Sequence, residues 1–155
     1  MRYRFFHISF LIVALMLTVT SVHAQESLFE KYEDTNGVTT IYISKTMLGM
    51  IPDVKAGKHD IRNIAGKLDY LRILSCEKQT LIAPLLEDAK KLFRSGGYEP
   101  IMKVNEDGEK VTIYQRTLKG GKNEFSLLTE EKNEITIINI VGTVTLKEIQ
   151  GLTSH

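Results

Sequence analysis

The sequence contains a single cysteine, Cys76, and only two of its four histidines, His59 and His155, lie beyond residue 24. A single cysteine excludes an intramolecular disulfide, so packing must stabilise the fold, and we expect Cys76 to be buried. Two histidines are too few for a histidine-based zinc site or triad, and the patterns H-E-x-x-H, G-x-S-x-G and C-x-x-C are absent. We therefore expect no catalytic residue, no cofactor and no metal site.

The sequence also lacks an excess of charge of either sign. Arg2 and Arg4 are the only charged residues before position 25, and the basic side chains that follow face 19 acidic ones. A chain this close to neutrality has no basic surplus with which to neutralise phosphates, so we expect no nucleic-acid partner.

Long apolar runs are missing too, except at the start of the chain. Residues 8–22 are apolar apart from a few serines and threonines, Arg2 and Arg4 precede them, and Ala24 follows as a small residue. This pattern is typical of a signal peptide, and the run is shorter than the ~20 apolar residues of a membrane-spanning helix. We predict a signal peptide over residues 1–24, cleaved after Ala24, and one domain over residues 25–155. The location would be periplasmic or secreted, with no membrane span after cleavage.

The segment 98–141 has the pattern of four strands joined by three polar turns. Asp107-Gly108 and Gly120-Gly121 are strong hairpin signals, and β-branched and aromatic residues fill the stretches between the turns. Upstream, the spacing of apolar residues predicts strands over 38–43 and 70–76 and helices over 25–34, 44–50, 60–68 and 80–95. A last short helix is predicted over 145–152. The prediction is an α+β fold: a largely antiparallel sheet with a C-terminal four-strand meander, covered on one face by two or three helices.

The last strand of the meander is apolar on both faces. Ile135 and Ile137 point one way, and Ile138 and Ile140 point the other. This indicates either a central strand of the sheet or a second surface that a partner buries. The predicted interaction surface consists of Tyr42, Tyr114, Ile138 and Ile140.

Several segments of the chain resemble a family of small exported proteins, domain-of-unknown-function family 4252. The resemblance covers most of the chain after residue 24 and implies export, which agrees with the predicted signal peptide. It also implies an envelope protein of Bacteroides-like bacteria, and it implies no activity or site residues. The segments that carry it are Leu28-Phe29-Glu30-Lys31-Tyr32, Gly37-Val38-Thr39, Tyr42-Ile43-Ser44-Lys45, Ile73-Leu74, Gly97-Tyr98-Glu99, Val104-Asn105-Glu106-Asp107-Gly108 and the closing Ile-rich strand.

Three functions agree with these observations. The first is a non-enzymatic binding or adaptor protein of the cell envelope that acts through a protein partner. The second is a carrier of a small molecule or lipid, with a pocket between the sheet and the helix predicted over 80–95. The third is a hydrolase or redox enzyme that uses Cys76 or the acidic residues, and it is the weakest because the acid–base partners that such an enzyme needs are missing.

Overall fold

A computed structural model of the chain describes residues 24–50, 55–56 and 59–153. Apart from Ala24, the predicted signal peptide lies outside the described residues. The structure confirms the predicted α+β class, with one six-stranded antiparallel sheet at its centre. The strands are β1 (Val38–Ser44), β4 (Leu68–Cys76), β5 (Glu99–Glu106), β6 (Glu109–Thr117), β7 (Asn123–Glu130) and β8 (Ile135–Gly142), with a small separate hairpin of β2 (Lys55–Ala56) and β3 (His59–Asp60). The helices are α1 (Ala24–Tyr32), α2 (Lys45–Met50), α3 (Gln79–Ser95) and α4 (Leu146–Thr153).

The order of strands in the sheet is β1-β4-β8-β7-β6-β5. The four strands from β5 to β8 follow one another both in the chain and in the sheet, so the predicted meander is confirmed. Its first turn is a two-residue hairpin in which Asp107 and Gly108 have φ angles of 47° and 86°. Positive φ at both positions matches the twist of the flanking strands, which explains the Asp-Gly pair. The order leaves β1 and β5 as the two edges and places β8 near the middle.

Apolar side chains pack on both faces of the sheet. On one face, here called the α3 face, Leu74, Ile137 and Leu128 pack against α1 and α3. On the other, the α2 face, Ile73 and Ile138 pack with residues of α2, of α4 and of the segment between β3 and β4. The predicted helical cover is thus provided by α1 and α3, and the opposite face is covered as well.

The predicted helix over residues 60–68 is wrong. Asp60 ends β3, and only Ala65–Lys67 form a short 3-10 helix. The backbone N–H groups of Ile64 and Lys67 donate to carbonyls three residues back, at 3.1 and 2.8 Å. A succession of tight turns therefore directs Ile61 and Ile64 into the core of the α2 face, as a helix would have done with the same apolar spacing.

A hydrogen bond from Tyr32 fastens α1 to α3. The Tyr32 hydroxyl donates to Asp88 Oδ2 at 2.6 Å, and Lys31 Nζ lies 2.5 Å from the same oxygen. These bonds, first from Lys31 and then from Tyr32, hold the pKa of Asp88 below its usual 3.8. The Asp88 carboxylate thus contributes stability above that value, and the contribution is lost as pH falls through its lowered pKa.

We expect Tyr32→Phe to destabilise the protein by about 1 kcal/mol at neutral pH, because a hydrogen bond to a charged acceptor is lost. The difference from wild type should shrink as the pH falls below the usual 3.8 and through the lowered pKa of Asp88, where the carboxylate becomes protonated. Urea unfolding of both proteins, at evenly spaced pH values between about pH 3 and pH 7, measures this difference. A difference that stays constant over the whole range would contradict the role assigned to the Asp88 charge.

Candidate functional site

Among the described residues, the exposed large apolar side chains belong to β1 and to α2, which follows it directly. Ile41 is 43% exposed and Tyr42 60%, and on α2 Met47 is 49% exposed and Met50 73%. We call these four residues the β1 edge surface. Ser44 caps α2 at the strand–helix junction, because its hydroxyl accepts a hydrogen bond from the backbone N–H of Met47 at 3.4 Å.

The two edge strands of the sheet differ in their protection against further pairing. The outer strand β5 contains Pro100, a register irregularity between Pro100 and Met102, and the exposed cation Lys103. Proline, bulges and lysine are the devices with which edge strands avoid pairing with other chains. β1 contains no proline, glycine or charged residue and pairs with β4 in unbroken register from Val38 to Ser44. Within the described residues, β1 therefore has none of these protecting features.

Tyr42 lies in a group of aromatic rings around one arginine. The Arg72 guanidinium is 5.4 Å from the centre of the Tyr42 ring, 5.1 Å from Tyr70 and 5.9 Å from Phe29. The Tyr42 and Tyr70 rings are themselves 5.9 Å apart. These contacts restrict Tyr42 before any ligand binds, and tyrosine and arginine are enriched among the residues that dominate binding energies at interfaces.

A cavity of about 260 Å³ adjoins this group on the α3 face. Glu30 and Glu33 of the α1 region line one side, and Thr40, Tyr42 and Arg72 line the other. Neither glutamate has a basic partner in the described part of the chain. The exposed end of the cavity is thus acidic, next to an apolar strand edge.

A second cavity, of about 280 Å³, lies at the opposite end of the sheet. Residues from the last turns of α3 and from β5, β6 and β7 line this recess, which lies on the α3 face. We call it the cationic pocket. Its lining is Lys90, Phe93, Arg94, Tyr98, Pro100, Lys103, Lys110, Thr112, Tyr114 and Glu130.

One carboxylate and a pair of stacked rings organise the cationic pocket. Glu130 lies 3.0 Å from Lys90 Nζ and 3.3 Å from Lys110 Nζ. The rings of Phe93 and Tyr114 stack with centroids 4.1 Å apart. Burial first, and then the Glu130 carboxylate, raise the pKa of Tyr114, and its protonated hydroxyl can donate a hydrogen bond at neutral pH.

The residues of the predicted interaction surface lie in different places. Ile138 and Ile140 are 3% and 0% exposed and belong to the core of the α2 face. They form no surface of the folded chain, so this part of the prediction is corrected: β8 is a central strand covered on both faces. Tyr42 and Tyr114 face the same side, but four strand spacings separate them, roughly 19 Å, so they belong to two different sites.

Cys76 is buried in the core of the α3 face, with 1% of its surface exposed, as predicted. Within the described ranges, no group of three or more histidine, cysteine or acidic residues is arranged to hold a metal ion. In the same part of the chain no helix has the length and apolar character needed to cross a bilayer.

Fold and surfaces together define an α+β protein built on one open antiparallel sheet, with the edge strand β1 at one end and a charged recess at the other. The chain belongs to the family Domain of unknown function (DUF4252), whose model matches residues 32–152. The comparison with curated proteins gave no match. Among solved structures it is similar to the protein of unknown function PA94 from Pseudomonas aeruginosa, with 7% identity and a TM-score of 0.34 over 74% of this chain and 72% of that one. A likeness at that level carries no argument about function.

Proposed function

We propose that the chain is an exported, non-enzymatic binding protein of the cell envelope that acts through a protein partner, and that the partner binds at the β1 edge surface. The observation that carries the proposal is the contrast between the two edges. β5 is protected by Pro100 and Lys103, whereas β1 is regular, uncharged and flanked by exposed apolar side chains.

The partner would contribute an extended strand that pairs with β1. Backbone groups on the outer side of an edge strand are available for such pairing, and alternate side chains of the added strand then lie on opposite faces of the sheet. On the α2 face they would meet Ile41, so apolar residues fit there. On the α3 face they would lie near Glu30 and Glu33, so a lysine or arginine fits there.

Export rests on the first 24 residues, whose basic, apolar and small-residue parts follow in the order of a signal peptide. A partner at the β1 edge would then be another protein of the envelope. The lack of a disulfide is compatible with that location, because Cys76 is buried away from oxidants.

The second candidate, a carrier of an apolar ligand between sheet and helix, has less support. Leu85, Ala89 and Leu92 of α3 fill the space over the middle of the sheet. The cavity beside α3 is lined by cations, which suit an anion better than a lipid tail.

Site-specific photocrosslinking in cells tests the β1 edge. With a photoreactive residue in place of Tyr42, we expect one dominant envelope protein to be captured, through a peptide that is apolar and basic at alternate positions. Adding Thr39→Lys should remove most of the product, because a lysine on an exposed edge strand opposes pairing. Thr39 is exposed, so the fold should tolerate the change.

The matched control uses the opposite edge. A photoreactive residue at Asn105 of β5 should capture little, and Asn105→Lys should leave the Tyr42 product unchanged. Equal capture from both edges would contradict the proposal. Capture of a second copy of this chain alone would replace the proposed heterologous partner with a homodimer formed through β1.

A further inference from the structure

The cationic pocket collects like charges from three different elements. Lys90 and Arg94 are four residues apart on α3 and therefore share one face of the helix. Lys103 of β5 lies opposite Thr112 on β6, and Lys110 lies two residues before Thr112, on the same face of that strand. All four cations line one recess.

The protein itself neutralises only part of this charge. Glu130 is the acidic residue of the lining, and it already pairs with both Lys90 and Lys110. In the described part of the chain, neither Arg94 nor Lys103 has an acidic partner. Like charges held close together repel one another, and a bound anion would relieve that repulsion.

Size and lining define the kind of anion. A volume of about 280 Å³ is near the lower end of ligand sites, so it suits a small head group rather than a large cofactor. Arginine offers a planar pair of donors to phosphate, and lysines act on it as point charges. Beside the cations, the half-buried ring of Tyr114 offers an apolar surface and a hydroxyl donor.

We propose that the cationic pocket binds a phosphate monoester, with its phosphate against Arg94 and Lys103 and its organic group against Tyr114. A monoester carries nearly two negative charges at neutral pH, which matches the surplus of cations better than a single carboxylate does. The ligand is either a soluble phosphorylated compound or the head group of a lipid with a terminal phosphate, since both present the same chemistry. This site is separate from the β1 edge and does not depend on the proposed partner.

Calorimetric titration with phenyl phosphate at physiological salt tests the proposal, because that salt concentration screens weak surface binding. Phenyl phosphate should bind at least about tenfold more tightly than benzoate, which has the same ring and one charge. Its affinity should fall below about pH 6, where the second phosphate charge is lost. Vesicles that contain phosphatidic acid and vesicles that contain phosphatidylglycerol separate the two sources. Binding to the phosphatidic acid vesicles alone identifies a lipid head group. Binding of phenyl phosphate without binding to either kind of vesicle identifies a soluble ligand.

Variants locate the binding. Arg94→Gln combined with Lys103→Gln should weaken phenyl phosphate by at least about tenfold. Lys147→Gln combined with Lys119→Gln removes the same charge from exposed positions outside the pocket and should change nothing. Tyr114→Leu should weaken phenyl phosphate but not inorganic phosphate. An equal loss in the two double variants, equal binding of benzoate, or no heat at millimolar phenyl phosphate would overturn the proposal.

Discussion

Ile138→Asp is expected to unfold the protein. Ile138 is 3% exposed and lies between Ile73 of β4 and Leu127 of β7. Loss of a buried isoleucine side chain costs about 2–5 kcal/mol, and burying an unpaired carboxylate costs several more. Together these approach the about 5–15 kcal/mol by which domains of this kind are stable. Circular dichroism and urea unfolding at neutral pH measure the result.

Ile41→Asp is the matched control. Ile41 pairs with Ile73, which pairs with Ile138, so all three side chains lie in one row on the α2 face. Ile41 is at the edge and 43% exposed, so its carboxylate stays in water. We expect a change within about 1 kcal/mol and a folded spectrum. A folded Ile138→Asp protein as stable as the Ile41→Asp protein would show that β8 is not the central strand.

The apolar pattern of β8 predicts that both of its faces are buried, but not which elements of the chain bury them. Apolar residues on both faces indicated two buried sides, and both interpretations, a central strand and a partner surface, followed from that pattern. The residues that cover β8 on the α2 face include Leu48 of α2 and Ile149 of α4. They lie about 90 and about 10 residues from Ile138 in the chain. No local pattern contains that information.

The elements that were predicted correctly have local causes. The positive φ angles of the hairpin favour residues such as Asp107 and Gly108, and the apolar stripe of α3 spans several turns of one helix. The segment 60–68 was assigned to the wrong element because Ile61 and Ile64 reach the core equally well from consecutive tight turns, and Leu68 reaches it from the start of β4. The tertiary packing of this segment decides between a helix and a succession of turns.

The two sites depend on sheet order, which explains why only one residue of each was predicted. Tyr42 was identified by its type, but only the order of the strands shows that β1 is an edge with Arg72 beside it. Tyr114 was identified in the same way, without the cations around it. The local signal for the cationic pocket was the spacing of Lys90 and Arg94, and the strand register that brings Lys103 and Lys110 to them is not visible in sequence.

Removal of either partner of the buried Arg116–Glu124 pair is expected to cost about 3–5 kcal/mol. The Glu124 side chain is 2% exposed and that of Arg116 9%. Glu124 Oε2 accepts from Arg116 Nε at 3.0 Å and from Nη2 at 2.5 Å, and Oε1 accepts from Asn139 Nδ2 at 2.9 Å. Glu124→Leu would leave the arginine charge without this partner in a site poor in water, and Arg116→Leu would do the same to the carboxylate.

The pair also supports one wall of the cationic pocket. Arg116 Nη1 donates to the carbonyl oxygen of Gly96 at 3.0 Å, just beyond the end of α3. Its guanidinium lies 4.4 Å from the centre of the Tyr98 ring, which lines the pocket. Arg116→Leu should therefore loosen the end of α3 and weaken phenyl phosphate binding, whereas Glu124→Leu should chiefly reduce stability.

A double-mutant cycle separates the charge from the packing. Leucine at both positions removes the two charges together, so Arg116→Leu/Glu124→Leu should lose clearly less stability than the sum of the single changes. Asn139 then keeps its bond to Ser126 Oγ, 3.2 Å long, which limits the loss at that end of the network. Urea unfolding of the four proteins gives the coupling energy, which we expect to be about 2 kcal/mol or more. Additive single effects would mean that water reaches the pair and that its apparent burial does not raise the cost of an unpaired charge.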